Sequence, residues 1–449
     1  MFQRIIQKEL IDWKNNPNRK PMLLRGARQV GKTTVVDIFS KNYKQYLYLN
    51  LEKEGNAYFF ERYAEVRELL EAVFFTYDKD LNEKSTLIFI DEIQKVPKAV
   101  EMLRYFYEEF PYLHIIAAGS LLETILNKRI SIPVGRVEYR VLRPLSFPEF
   151  LIAMGETNAL QQLENIPVKD FAHDKLMKLF HTYALIGGMP EVVANYAVNR
   201  NLSEIKNIYE TLLVSYMDDV EKYARNDSLS HIIRHIIKNI YTEAGLRIKF
   251  QGFGHSNYGS REVGEAFFTI EKAFLLHLVY PTANTILPIS PDRRKSPRLQ
   301  ILDTGLMNYF AGLQKEIIGS YELDKIYQGR VIEHLIGQEI LASKFNVLNE
   351  LHFWTREKKG SMAEVDYLMV YDSLIIPIEV KSGATGTLRS LHLFMEQSPH
   401  DIAVRLYGGK YYVDNVRTVS GKIFRLINLP YYLASQIESY LGFILNNLN

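Results

Sequence analysis

The chain has 449 residues, of which 47% are hydrophobic and 24% charged, and a formal net charge of +2. At roughly 150 residues per domain, that length corresponds to two to four globular domains, and so small a net charge singles out no class of partner. It contains no cysteine, which excludes disulfides and thiolate metal sites and fits a reducing compartment.

The opening stretch MFQRIIQKELIDWK carries a charge every few residues, unlike a signal peptide. No apolar run reaches the ~20 residues that a bilayer requires. The expectation is a cytoplasmic protein with no membrane partner.

MLLRGARQVGKTT joins an apolar strand, a glycine-containing loop and the start of a helix. Residues Gly26, Ala27, Arg28, Gln29, Val30, Gly31, Lys32 and Thr33, followed by Thr34, fit the phosphate-loop pattern G-x-x-x-x-G-K-[ST]. Glycines let backbone N–H groups curl around phosphate oxygens. Lys32 reaches the β- and γ-phosphates of ATP, and the Thr33 hydroxyl ligates Mg²⁺. In STLIFIDEIQKVP a buried-type strand ends at Asp91 and Glu92. Asp91 is placed to hold the Mg²⁺ shell, and Glu92 to orient and deprotonate an attacking water, which makes the expected activity ATP hydrolysis.

A further apolar run, LHIIAAGS, ends at Ser120. Ser120 either senses the γ-phosphate and attacking water or caps the helix LLETIL. Arg136 or Arg140, in GRVEYRVLRP, is a candidate arginine finger acting on a neighbouring subunit, which would require a homo-oligomer. Strands near 21–25, 46–51, 86–91, 113–118 and 137–142, alternating with helices, predict a parallel sheet covered on both faces.

From Ser228 to Ala244, Ile232, Ile233, Ile236, Ile237 and Ile240 form one helical stripe. A second helix begins near Ser260. The strand-like segments LVYPT and RLQILD then flank a loop with Arg293, Arg294, Lys295 and Arg298 against a single Asp292. Helix, turn, helix and basic hairpin is the layout of a DNA-binding winged helix. Glu262, Glu265 and Glu271 on the second helix leave a protein-contact domain equally open.

AEVDYLMVY and LIIPIEVKS read as two strands joined by a two-residue turn at Asp372-Ser373. That turn pairs Tyr371 with Leu374, and so Asp366 with Glu379 and Glu364 with Lys381. All four would share one face with Leu368, Val370 and Ile375. Pro377 signals an edge or a bulge. Opposed, partly buried carboxylates repel unless a cation joins them, and an all-oxygen set favours Mg²⁺ or Mn²⁺. Lys381 is placed to position a water or offset developing negative charge. In GRVIEHLIGQEI, Glu333 shares a helical face with Ile336, Gly337 and Ile340 and points inward as a third acid. The alternative is a cross-strand salt-bridge ladder. His352, in HFWTRE, reads either as a ligand or phosphate contact or as an ordinary partly buried strand histidine.

On GARQVGKTT, LIFIDEIQKVP, AAGSLLE, GRVEYRVLRPLSFPEF and IGGMPEVV, the chain resembles a bacterial and archaeal family of AAA-type P-loop ATP-binding proteins with a C-terminal DUF4143-like domain. The resemblance implies an α/β fold in four parts: an ATPase core (1–142), a helical lid (143–215), a winged-helix segment (216–310) and a domain related to the PD-(D/E)xK nucleases (311–449). Glu333, Asp366 and Glu379-x-Lys381 follow the order of that nuclease pattern. Two functions follow: a DNA-directed ATPase whose C-terminal domain cuts nucleic acid, or an ATP-driven regulatory protein whose nuclease-like domain only binds DNA or a protein partner.

Overall fold

The computed structural model describes residues 2–119, 135–221, 224–313, 329–358, 361–381 and 388–446. The chain divides into two compact units.

The first unit comprises Met1–Arg143 with the short pieces Lys272–Phe274 and Phe345–Leu348. The five apolar runs expected there are strands β1 (Met22–Arg25), β2 (Gln45–Asn50), β3 (Thr86–Asp91), β4 (His114–Ala118) and β5 (Glu138–Val141). They lie in the order β2-β3-β4-β1-β5, every pair parallel. β1, β3 and β4 are buried along their whole length, which is why they read as unbroken apolar runs rather than alternating ones. Ile88, Ile90 and Ile115 from the sheet pack with Leu69, Val73, Leu103 and Phe106 from helices Val66–Thr76 and Pro97–Glu109. The phosphate loop follows β1 and Asp91 closes β3, so both lie at carboxyl ends of parallel strands, where such sheets bind ligands.

The second unit comprises Pro144–Glu271, Leu275–Lys344 and Asn349–Asn449. Its first part is helical. In the helix Asp227–Glu243 the isoleucine stripe is buried as expected. Then come β6 (Leu276–Val279), β7 (Pro281–Thr282) and β8 (Arg298–Ile301), with β6 and β8 an antiparallel pair. The C-terminal part adds β9 (His352–Lys358), β10 (Ser361–Tyr371), β11 (Leu374–Val380), β12 (Ile402–Tyr407), β13 (Tyr412–Arg417) and β14 (Ile423–Pro430). These form a mixed sheet in the order β13-β14-β12-β11-β10-β9-β7.

The β10–β11 hairpin has the expected register, from Tyr371 opposite Leu374 to Tyr367 opposite Ile378. Asp372 and Ser373 take φ of 45° and 63°, the left-handed pair that a two-residue hairpin turn demands. Two expectations are corrected. β11 is an interior strand, and its ladder to β12 begins only at Ile378, so Pro377 falls where that side is still unpaired. The side-chain alternation also breaks, because the β9–β10 register shifts between Val365 and Leu368. Ala363, Val365 and Leu368 therefore join one apolar cluster, which strict alternation forbids, and Val370 is exposed.

The IGGMP segment gains a physical explanation. Gly187 has φ of 71°, and a Cβ there would strike the Asp303 carboxylate, while one on Gly188 would strike the Leu145 carbonyl oxygen. The chain passes through this gap to meet a buried polar network. Asp303 accepts from the N–H groups of Gly188 (2.6 Å) and Leu306 (3.1 Å). Glu339 accepts from the Phe147 N–H (3.0 Å) and the Tyr183 hydroxyl (2.7 Å). Gln338 donates to the Tyr183 hydroxyl (3.0 Å) and accepts from the Thr304 N–H (2.8 Å). His334 Nε2 accepts from the Ile301 N–H (3.0 Å). Three of these residues lie on the helix Arg330–Ala342, which is buried almost throughout.

Gly188→Ala forces a Cβ onto a backbone oxygen and is expected to destabilise the unit by about 1–3 kcal/mol in a urea denaturation series. Burial pushes Asp303 up to about 6 and Glu339 up to about 7. Both folded values lie above the unfolded ones, so their contribution to stability is full below about pH 4 and is lost as pH rises through about 6 to 7. The denaturation midpoint of Asp303→Asn should therefore fall less steeply than that of the native chain between those pH values. Parallel curves would show that Asp303 does not titrate there.

Candidate functional site

The phosphate loop is shaped by backbone conformations that few residues accept. Gly26 and Gly31 have φ of 139° and 94°, and Gln29 has 64°. A Cβ on Gly26 would strike the Leu142 carbonyl oxygen, because the residue after β5 runs beside the loop and the Leu142 N–H donates to the Arg25 carbonyl (2.9 Å). Arg4 supports the loop, donating to the carbonyls of Val30 (3.0 Å) and Arg143 (2.7 Å). Ala27, Arg28, Gln29 and Val30 thus form the turn, and the helix Lys32–Ser40, with Thr33 and Thr34 in its first turn, starts where the loop ends. A helix start of this kind directs N–H groups and positive partial charge toward an anion.

Lys32 Nζ donates to the carbonyls of Gly26 (2.9 Å) and Ala27 (2.8 Å). Thr33 Oγ1 donates to Asp91 Oδ2 (2.8 Å), bringing together the two expected Mg²⁺ ligands. This loop, with its paired hydroxyl and carboxylate, fits a nucleotide triphosphate with its magnesium ion in donor type and charge. Two residues not anticipated from sequence join the group. The Tyr48 hydroxyl donates to Asp91 Oδ2 (3.2 Å), and the Gln94 amide donates to Glu92 Oε2. Glu92 itself has φ of 53°. Burial pushes its carboxyl above the ordinary glutamate range, against the opposing hydrogen bond from Gln94. Tyr48 lies two residues before the end of β2, where Asn50 pairs with Asp91.

Ser120 lies outside the described residues. Arg136 forms an exposed ion pair with Glu108 (2.9 Å), and Arg140 pairs with Glu9 (3.4 Å).

In the second unit, four acids and two bases meet. The ladder between β10 and β11 stops at Tyr367, and beyond it the Asp366 carboxylate accepts from the Val380 N–H (2.8 Å). Lys381 Nζ pairs with Glu379 Oε1 (2.6 Å), while Glu379 Oε2 is buried with no hydrogen-bond partner among the described residues. Glu379 is 3% exposed and Asp366 8%. Glu333 comes from the helix Arg330–Ala342, fixed by the Tyr367 hydroxyl donating to its carbonyl (2.7 Å).

Burial first, and repulsion from Asp366 second, push both Glu333 and Glu379 up to about 8. Burial likewise raises Asp366. An unpartnered buried carboxylate oxygen among acids that repel one another fits a hard cation in charge and donor type. Among the described residues, however, no three His, Asp or Glu side chains are grouped so as to hold a metal ion.

Arg298 corrects the reading of the basic loop. It is buried in β8, pairs with the Glu364 carboxylate, and donates to the Asp366 carbonyl (3.0 Å). Its neighbours are engaged too: Arg294 with Asp292 (3.0 Å), Lys295 with Glu357 (3.0 Å), and Arg293 over the Tyr280 ring (5.4 Å). Counting loop charges cannot separate a cation that faces solvent from one drawn inward by Glu364. His352 pairs with Leu368 in the sheet, and burial lowers its pKa.

No described helix is long and apolar enough to cross a membrane. Residues 18–151 match the family described as an AAA domain. Residues 177–317 match a domain of unknown function, DUF8612, and residues 328–432 match another, DUF4143. No curated protein matches the chain. Among solved structures, a Walker-type ATPase of Pyrococcus abyssi is 15% identical, with 69% of this chain and 96% of that one covered at a TM-score of 0.42. PCH-2 of C. elegans is 11% identical, with coverages of 44% and 64% and a TM-score of 0.27. The chain thus carries an AAA-type P-loop ATPase domain followed, toward its C-terminus, by a DUF4143 domain.

Proposed function

We propose that the chain hydrolyses ATP at the phosphate loop and that its C-terminal part is a nuclease-like domain acting on DNA. The observation that carries the first half is the Thr33–Asp91 hydrogen bond beside Lys32, with the desolvated Glu92 next in the chain. Thr33 and Asp91 would hold Mg²⁺, whose charge offsets that on the phosphates. Lys32 moves from the loop carbonyls to the β- and γ-phosphate oxygens. Glu92 takes the proton of the attacking water, and its raised pKa brings it closer to neutral pH, where a general base works best. Gln94 fixes the Glu92 carboxylate, and Tyr48 orients Asp91.

For the C-terminal part, the reading rests on the acidic cluster with its unpartnered Glu379 Oε2. Asp366 and Glu379, with Glu333 nearby, would hold Mg²⁺ or Mn²⁺, which polarises a phosphodiester and acidifies a bound water. Lys381, already beside Glu379, offsets negative charge developing at phosphorus. We assign residues 1–142 to the ATPase core, 143–215 to a helical lid, 216–310 to a winged-helix-like segment and 311–449 to the nuclease-like domain. The second reading is an ATP-driven regulatory protein whose C-terminal domain binds DNA or a protein partner without cutting. The absence of a grouped three-acid metal site among the described residues favours it.

Lys32→Ala is expected to lower ATP turnover by about 10²–10³-fold. Glu92→Gln should retain ATP binding while losing about 10²–10⁴-fold in turnover, both read by phosphate release and nucleotide binding; normal turnover in Lys32→Ala would refute the phosphate-loop assignment. For the second half, single- and double-stranded DNA and RNA are incubated with Mg²⁺ or Mn²⁺, with and without ATP. Cleavage lost in Asp366→Ala and Lys381→Ala is expected. Cleavage no greater than that of Asp366→Ala under every condition selects the binding-only reading.

A further inference from the structure

We infer that Arg298 is the resident cation of one half of the C-terminal acidic cluster, so that the cluster takes a single divalent ion, on its Asp366–Glu379 side. This rests on the metal-dependent reading proposed above and specifies how many ions that site admits and where.

Asp366 stands between two unlike groups. On one side is the Arg298 guanidinium, whose Nη2 pairs with Glu364 and lies 4.0 Å from Asp366 Oδ1, while Nη1 donates to the Asp366 carbonyl (3.0 Å). The guanidinium also lies against two aromatic rings, 4.6 Å from the centre of Phe353 and 5.7 Å from that of Tyr367. A planar fork fixed by a carboxylate, a carbonyl and two rings has little freedom to leave. Arg247 adds a second positive charge to Glu364, at 3.8 Å. This half of the cluster is already neutralised.

On the other side the counter-charge is a lysine. Among the described residues Lys381 Nζ pairs with Glu379 Oε1 alone, and its side chain is 27% exposed. An ammonium on a flexible four-carbon stem turns toward solvent easily, and Glu379 Oε2 has no hydrogen-bond partner among the described residues. One ion can therefore sit between Asp366 and Glu379 and complete its shell with water, as Mg²⁺ and Mn²⁺ habitually do. In a two-ion site the second ion would lie roughly 3.5–4 Å from the first, sharing Asp366 and drawing on Glu364. That position puts it in contact with the Arg298 guanidinium, cation against cation in a buried setting, where repulsion is poorly screened. Arg298 thus does the electrostatic work of a second ion.

The test is a Mn²⁺ titration of the nucleotide-free chain by calorimetry and electron paramagnetic resonance, with Asp91→Asn run alongside to subtract any ion at the phosphate loop. One ion per chain is expected at the C-terminal site. Asp366→Asn and Glu379→Gln should weaken it about tenfold or more. Glu364→Gln should leave its affinity within about twofold, because Glu364 serves the guanidinium and not the ion. Arg298→Gln should admit a second ion. Two ions in the native chain, or loss of the ion in Glu364→Gln, overturns the inference while leaving the metal-dependent reading intact. No ion that responds to Asp366→Asn overturns that reading itself. The native stoichiometry and the Glu364→Gln result decide the matter even where Arg298→Gln fails to fold.

Discussion

A carboxylate taken out of water must meet a cation or hydrogen-bond donors, or else hold on to its proton. Much of this molecule is arranged around that requirement. Asp91 at the end of β3 is nearly buried and is met by the Thr33 and Tyr48 hydroxyls and by the N–H of Glu92. Asp303 and Glu339 are fully buried and are met by backbone N–H groups and by Tyr183. Asp366 and Glu379 are met by a backbone N–H, Lys381 and the field of Arg298. Each acid draws in residues distant in sequence, and those ties fix where loops and strands can run.

The helix Arg330–Ala342 depends most heavily on this constraint. Glu333 on its first turn faces the acidic cluster, His334 and Gln338 meet the segment Gln300–Thr304, and Glu339 meets Phe147 and Tyr183. Gly337 lies in a gap that a side chain would close against Gln300 and the Tyr367 hydroxyl. A helix held on so many sides has one position and one rotation. The placement of Glu333 beside Asp366 is therefore set by packing several residues along the same helix, and a rigid support of this kind is what a chemical site requires.

The sequence made legible what depends on near neighbours. The five strands of the first sheet, the phosphate loop and the isoleucine stripe follow from local pattern, and the β10–β11 register follows from a two-residue turn whose φ values Asp372 and Ser373 adopt. What escaped depends on partners far along the chain. The break in alternation before Leu368 comes from pairing with β9. The glycines after Ile186 are explained by the Leu145 carbonyl oxygen and by Asp303, the latter 115 residues from Gly188. Arg298 looked like a wing residue because its loop is basic, and nothing local says that Glu364 draws it inward. Gln94 was within sight, two residues from Glu92, but a glutamine after a strand carries no signal until the turn brings the amide back.

How completely an acid is bonded also separates the structural carboxylates from those suited to chemistry. In Asp303 and Glu339 both oxygens accept hydrogen bonds from groups that cannot leave without unfolding the unit. Such an acid is stable and inert. Glu92 is held by a neutral amide, which orients a carboxylate without cancelling its charge and so leaves its basicity available. Glu379 has one oxygen on a movable ammonium and the other on no partner among the described residues. Incomplete satisfaction in a buried place costs stability, and among the buried acids of the described residues it is Glu379 that keeps an oxygen without a partner. Under the function proposed above, the missing partner at Glu379 would be a cation with its phosphodiester, and Glu92 would meet a water to be deprotonated.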